Sequence, residues 1–310
     1  MSGIGTVQGA VATWRLRETR ITQGPGRYRS LYRTDACPNL VCSDLGDNRS
    51  MNSSLARLRA ALERRGPQAA PLRLFFRDDD VDEDEPTLRR LLKLFAELNT
   101  PINLGVIPGR LTALCAELLA EFALAAPAMF ELNQHGWRHT NHEREGRKCE
   151  FGPSRTYAEQ LADIAQGRER MTEAFGPNWF PVFVPPWNRC TEDTYRAIDR
   201  LGFRALSGKR GGSVVTGYRF EEISITLDIY RWNGGARLKS PEEVIDDLIA
   251  QLSAQQTIGV ALHHKVMDER ALSFLASLLD TLASHPTARF HTFQSLLKSS
   301  YVEPEVAPRP

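Results

Sequence analysis

The sequence has almost no net charge: 39 Lys and Arg offset 38 Asp and Glu, leaving +1 over 310 residues. That balance excludes a global field drawing the chain to nucleic acid or to an anionic membrane, so function has to come from a local site. Cysteine is sparse as well, with five residues, Cys37, Cys42, Cys115, Cys149 and Cys190, and no CxxC pair. This excludes a disulfide framework or a zinc ribbon and fits a reducing compartment. The beginning, MSGIGTVQGAVATWRLRETR, lacks the basic then apolar pattern of a secretory signal. The most apolar long window, residues 111–132, is broken by Glu117 and Glu121, and it reads as a buried helix followed by a strand. The expected location is the cytoplasm, with no membrane insertion; the sequence leaves the oligomeric state open.

Periodic apolar patterning is nearly absent from residues 1–50, which read as a poorly ordered extension. Met51 then opens MNSSLARLRAALERR, in which Ser53 or Ser54 can cap a helix and where translation is expected to begin. From there runs of strand length alternate with helical patterns. LRLFF (72–76), INLGVI (102–107), MFEL (129–132), WFPVFV (179–184), FRALS (203–207), ISITLDI (223–229), TIGVALH (257–263) and ARFHTF (288–293) are the strands. Helices are expected near 86–98, 111–124, from Ser154 onward, and near 191–201, 241–255 and 268–283. This alternation predicts an α/β fold, a distorted seven-stranded parallel (β/α) barrel with outer helices over 51–300, and a tail at 301–310.

Histidine is scarce too, yet five of the seven fall in two stretches, ELNQHGWRHTNHE (131–143) and ALHHKVMDE (261–269). Parallel barrels gather functional groups where strands end, and the acidic FRDDDVDEDE, the histidine stretch, PPWNR and LHH all follow strands. His135 and His139 have chelating spacing, and with a nearby carboxylate they suit Zn²⁺ or another divalent ion with positions left open. His142 is a further ligand or a substrate contact. Asp78, Asp79 and Asp80 would repel one another without a cation. Strand alternation points His263 and His264 in opposite directions, so one of the two faces the site. Pro185, Pro186, Trp187, Asn188 and Arg189 form a stiff loop with an aromatic fit for sugar stacking. Asp228 sits where it can orient a histidine or pair with Arg231.

Taken in order, these segments resemble the polysaccharide deacetylase family, the NodB homology domain of carbohydrate esterase family 4, over residues 70–295. The resemblance implies a metal-dependent deacetylase acting on a glycan or a sugar-containing small molecule. FRDDDV stands at the family's TFDDG-like motif, which makes Asp78 the general base and Asp79 a metal ligand; Asp80 then stands where the family has glycine. HGWRH matches the His-(Ser/Thr)-x-x-His motif and gives the metal His135 and His139. The family's third-motif arginine is missing before Pro185, so Arg189 or Arg77 takes its duty of holding the base. Asp228 and Trp232 match the fourth motif and LHH the fifth, with His263 as general acid. Asp80, His142, Pro186, Trp187, Asn188, Arg189, Trp232 and His264 are left for substrate, and Asp228 for support. The competing readings are a metal-dependent amidase or phosphoesterase, and a barrel that binds carbohydrate without catalysis.

Overall fold

The computed structural model describes residues 45–66, 69–209, 217–253 and 257–300. The first helix, α1 (Leu45–Glu63), starts before the expected Met51, so Ser53 and Ser54 lie inside it and cap nothing. The rest of the expected extension, residues 1–44, and the tail fall outside the described residues. Among the described residues no helix is long and apolar enough to cross a membrane.

The strand-helix alternation follows as β1 (Leu72–Val81), α2 (Pro86–Glu97), β2 (Ile102–Val106), α3 (Ala113–Ala125), β3 (Phe130–His135), α4 (Tyr157–Phe175), β4 (Val182–Val184) and α5 (Glu192–Arg200). Then come the short β5 (Ala205–Leu206), β6 (Glu221–Glu222), β7 (Leu227–Asp228), β8 (Tyr230–Arg231) and β9 (Arg237–Leu238), and finally α6 (Pro241–Leu252), β10 (Thr257–Leu262), α7 (Glu269–Ala283), β11 (Ala288–Phe290) and α8 (Phe293–Ser300). Helix starts follow local chemistry. Pro86 opens α2, where a missing N–H costs nothing. Thr156 and Ser240 begin α4 and α6, each closing a reciprocal capping box with a glutamate three residues on. Thr156 therefore takes the role expected of Ser154, whose amide and hydroxyl are bound to Glu143 instead.

The main sheet is parallel, in the order β6-β5-β4-β3-β2-β1-β10-β7, with β11 against the start of β1. One extended segment carries both β6 and β7: Ile223 and Ile225 donate to carbonyls at the end of β5, and Thr226 donates to Gly259 on β10. The sheet thereby closes on itself as β1, β2, β3, β4, β5, β6–β7 and β10. The distorted barrel expected from the sequence is the fold.

Alternation then sorts side chains into two layers. Leu72, Leu74 and Phe76 face outward and pack with Leu88, Leu91, Leu92 and Phe95 of α2 and Leu275, Leu278 and Leu279 of α7. Phe75 faces inward with Val182, Val184, Ala205, Ile225 and Ala261. The helix α8 plugs the amino end of the barrel: Phe293, Leu296 and Leu297 join the inner cluster. Its first amides donate to buried polar groups, Phe293 N to Asn103 Oδ1 and Gln294 N to Glu131 Oε2. Burial pushes the Glu131 carboxyl up to about 7 despite those bonds.

Candidate metal and acyl-transfer site

The carboxyl end of β1 carries the three aspartates, and strand geometry gives each a different fate. Inward-facing positions run Phe75, Arg77, Asp79, so Asp78 points outward. There its Oδ1 accepts from the His264 amide at 2.9 Å and its Oδ2 meets His264 Nδ1 at 2.6 Å. Both side chains are fully buried. The barrel interior is thus closed to Asp78, expected as the base, and to His264, expected at substrate; the pair instead ties the end of β1 to the end of β10. Burial opposes the imidazolium, but the charge and hydrogen bond of Asp78 prevail and raise the His264 pKa.

Asp79, expected among the metal ligands, faces inward and is gripped by Arg77 of its own strand. Arg77 Nε and Nη2 each donate to it at 2.8 Å, a bidentate pair. Arg77, fully buried, spends its remaining donors on Ser207 O and Oγ (2.7 and 2.9 Å) and on Asn188 Oδ1 (2.6 Å). Arg189 has no part in this, since its Nη1 donates to the Lys148 carbonyl at 2.9 Å. Burial disfavours the Asp79 carboxylate, yet the charges of Arg77, His135 and His263 outweigh it and hold its pKa below the ordinary value.

Alternation should send Asp80 outward, away from the mouth. It does not, because Asp80 takes a left-handed backbone (φ 68°) and the pairing of β1 with β2 slips between Asp78 and Val81. This bulge re-aims the side chain. Asp80 Oδ1 lies 3.2 Å from His135 Nε2 and 3.1 Å from His139 Nε2. The three residues brought together are therefore Asp80, His135 and His139, with one donor atom from each within 4.8 Å of the others. The expected set of Asp79 with the two histidines differs from this by one position, and the bulge is the reason.

The two histidines come from opposite kinds of backbone. His135 ends β3, buried, and its Nδ1 donates to Val184 O at 3.0 Å, which orients the ring and turns Nε2 toward Asp80; burial opposes the imidazolium, but the hydrogen bond to Asp80 and the charges of Asp79 and Asp80 prevail and raise the His135 pKa. His139 sits in a loop at φ 55° with the Trp187 ring 4.2 Å from its own. Burial, then the charge of His135, lowers the His139 pKa to about 4, so it stands ready as a neutral ligand. The Asp80 pKa is also held below normal: burial opposes the carboxylate, but the hydrogen bond and charge of His135 and the charge of His139 prevail. Two imidazoles and one ionised carboxylate, converging with one imidazole locked from behind, fit a divalent cation with open positions.

Glu150, which sequence reasoning passed over, shapes this loop. It is fully buried, and its carboxylate accepts from the amides of Trp137 (3.2 Å), Arg138 (2.7 Å) and Thr140 (3.3 Å). Those amides flank His139 on both sides. Gly136 completes the turn at φ 59°, where a Cβ would collide with the Glu150 carboxylate and the Pro186 ring. No motif marks Glu150; the only signal is an acidic residue beside the hydrophobic Phe151.

The opposite wall belongs to His263. Its Nε2 lies 3.8 Å from Asp79 Oδ2, and its buried Nδ1 has no hydrogen-bond partner among the described residues. The Trp232 ring stands 4.5 Å away and is held by its indole N–H on Asp228 Oδ2 at 2.7 Å. Asp228 also accepts from the Tyr230 amide, so it reaches His263 only through Trp232, and Arg231 pairs with Glu243 instead. His142, offered as ligand or substrate contact, is exposed and outside the three-residue cluster; its amide donates to Cys149 O at 3.0 Å. Pro186 is buried, while Trp187 and Asn188 adopt left-handed backbones that aim one at His139 and the other at Arg77.

No protein-family model matches the sequence, and no curated protein matches it. Solved structures do match. A protein named a polysaccharide deacetylase from Mycobacterium smegmatis aligns with a TM-score of 0.57 at 18% identity, over 78% of this chain and 98% of that one. A family 4 acetyl xylan esterase from Clostridium thermocellum, solved with a cobalt ion, gives 0.53 at 15% identity over 74% and 93%. A peptidoglycan deacetylase from Bacillus subtilis gives 0.50 at 14% identity over 76% and 93%. The likeness spans nearly the whole of each of these structures, and the strand order and closure described above agree with it: the chain has the fold of the polysaccharide deacetylases, the NodB and carbohydrate esterase family 4 barrel.

Proposed function

We propose that the protein is a metal-dependent hydrolase that removes an acyl group, N-acetyl by preference, from a sugar or a sugar-containing precursor in the cytoplasm. One observation carries the reading. A three-residue donor set (Asp80, His135, His139) stands beside a carboxylate fixed by a buried arginine (Asp79 on Arg77), with an imidazole on the other side of that carboxylate (His263). Those are the parts that acyl hydrolysis by an activated water needs.

In this reading Asp80, His135 and His139 hold the cation, Zn²⁺ by the chemistry of the set. When bound, the cation supplies Lewis acidity to an acyl oxygen and lowers the pKa of a water. Asp79, ionised because Arg77 keeps its pKa low, accepts the proton of the attacking water as the new C–O bond forms. His263 gives a proton to the nitrogen as the C–N bond breaks, so the amine leaves neutral. The 3.8 Å between His263 Nε2 and Asp79 Oδ2 lets the two groups serve the same reacting centre. Arg77 is the positioning residue for the base, in place of the arginine absent before Pro185. Trp232, half exposed and held by Asp228, offers a face to the sugar next to the acid.

The base retains a dedicated cation and the acid remains beside it, which favours catalysis over the alternative of a barrel that only binds carbohydrate. Incubating zinc-loaded protein with N-acetylated sugars and their precursors should release acetate, and Asp79→Asn should abolish release while retaining metal. Release of inorganic phosphate from phosphate esters with no acetate from any amide would overturn the reading in favour of a phosphoesterase.

A further inference from the structure

Asp78 and His264 take no part in the proposed hydrolysis, yet they sit one residue from its base and its acid. The outward positions of β1 run Leu74, Phe76, Asp78, and the first two pack into the apolar layer beneath α2 and α7. Asp78 ends that row as a fully buried carboxylate bonded to a fully buried imidazole. Stability alone does not call for such a pair, because apolar residues of similar volume commonly serve as well or better. What charge-assisted bonds do provide is a fixed geometry.

The backbones of β1 and β10 pair as far as Asp78 and Leu262, so the base Asp79 and the acid His263 are the next residue on each strand. At His263 the chain leaves the strand (φ −147°, ψ 89°) for the single 3-10 turn His264–Val266. Asp78 takes over where the ladder stops. Its Oδ1 accepts, at 2.9 Å, from the His264 amide, which belongs to the peptide unit joining His263 to His264. Its Oδ2 meets the His264 ring Nδ1 at 2.6 Å. One side chain thus reaches from the residue before the base to the peptide unit after the acid. His263 depends on that hold. Its Nδ1 is buried and has no hydrogen-bond partner among the described residues, and the two oxygens of Asp228 are taken by the Tyr230 amide and the Trp232 indole. The acid's ring is placed by its backbone and by the packing of Trp232 at 4.5 Å.

We infer that Asp78 and His264 are positioning residues: they clamp the peptide unit between His263 and His264 to the strand that carries Asp79, and so set the 3.8 Å separation of His263 Nε2 from Asp79 Oδ2. The inference rests on the proposed acyl hydrolysis for its effect on turnover, and on the geometry alone for the separation. Releasing the clamp lets the acid drift, and a misplacement of about 1 Å can cost about 100-fold in rate. The loss falls on amides, whose nitrogen needs a proton to leave, and spares an activated ester, whose phenolate leaves without one.

The test uses the zinc-loaded full-length protein, with acetate release from N,N′-diacetylchitobiose and nitrophenolate release from p-nitrophenyl acetate as the two readouts. In the double variant Asp78→Leu/His264→Met an apolar pair replaces the clamp. Its kcat on the amide is expected to fall about 100-fold with KM within about twofold, while kcat on the ester stays within about threefold and zinc is retained. Asp78→Asn keeps an acceptor for the His264 amide and should hold amide turnover within about threefold of wild type. Should the apolar pair fail to fold, Asp78→Ser, whose hydroxyl is one atom too short for either bond, gives the same readout. Unchanged amide turnover without the clamp overturns the inference, and so does an equal fall on both substrates, which marks a merely structural role. Loss of all turnover in Asp78→Asn overturns it too, because Asp78 would then be acting as the base. If wild type releases no acetate, the hydrolase reading fails and crystal structures decide the clamp: the separation of His263 from Asp79 should change by about 1 Å in the variant without the clamp, and a separation kept within about 0.5 Å refutes it.

Discussion

Replacing Arg77 with methionine keeps a long apolar stem in the barrel and removes the cation bonded to Asp79. The variant loses both 2.8 Å bonds to Asp79 and the ties to Ser207 and Asn188, at a position with no exposure to water. Breaking a buried pair from one side costs about 3–5 kcal/mol, because the remaining charge is left uncompensated. Asp79 can relieve the cost by taking a proton. At about 1.4 kcal/mol per pH unit, a penalty of about 3 kcal/mol lifts its pKa by about two units. The sign follows: an acid whose folded pKa is depressed contributes stability above its unfolded pKa, and that contribution vanishes once Arg77 is gone. Urea unfolding at pH 7 should show a loss of about 3 kcal/mol, and the acidic limb of the acetate-release profile should move up by about two pH units. Metal content should hold, since the donor set shares no bond with Arg77. Arg77→Lys should recover part of the stability and little of the shift, because an ammonium cannot form the paired contacts. An acidic limb left in place, with unfolding changed by less than about 0.5 kcal/mol, would refute the claim that Arg77 sets the charge of the base.

Two further outcomes test the shell around the site. Glu150→Gln turns one acceptor into a donor facing amides, so the His139 loop should loosen; zinc affinity, read by competition with a chelating dye, is expected to fall about 10–100-fold. Unaltered affinity would mean that the loop holds its shape without the carboxylate. Glu131, whose pKa rises to about 7, keeps its proton in the native state while the unfolded chain loses it near 4.5. Its contribution to stability therefore falls as pH rises across that window, by about 3 kcal/mol in all. Denaturant curves at pH 4.5 and 7.5 should show this fall in wild type and not in Glu131→Gln; parallel pH dependence in both would disprove it.

Much of this was readable in the chain. The strand-helix alternation gave the barrel because each strand's apolar run and each helix's cap are local properties. His135, His139 and His263 were visible because histidine is otherwise so sparse. The identity of the acidic ligand was not, for a physical reason: three consecutive aspartates satisfy any phase of a two-residue alternation, and the bulge that re-aims Asp80 leaves no trace in residue type. Counting the alternation from Phe75 would have put Arg77 and Asp79 on one face and exposed the bidentate pair. Glu150 was beyond reach, since its partners are backbone amides that every sequence possesses. The helix α8 hid inside ARFHTF and the residues after it, where a strand and a helix begin almost together.

The central claim concerns which aspartate shares a cation with His135 and His139. Elemental analysis of wild type, Asp80→Asn and Asp79→Asn, purified in parallel and dialysed against the same zinc buffer, addresses it directly. The account predicts about one zinc per chain in wild type and in Asp79→Asn, and a large loss in Asp80→Asn. Zinc retained by Asp80→Asn and lost from Asp79→Asn would contradict it.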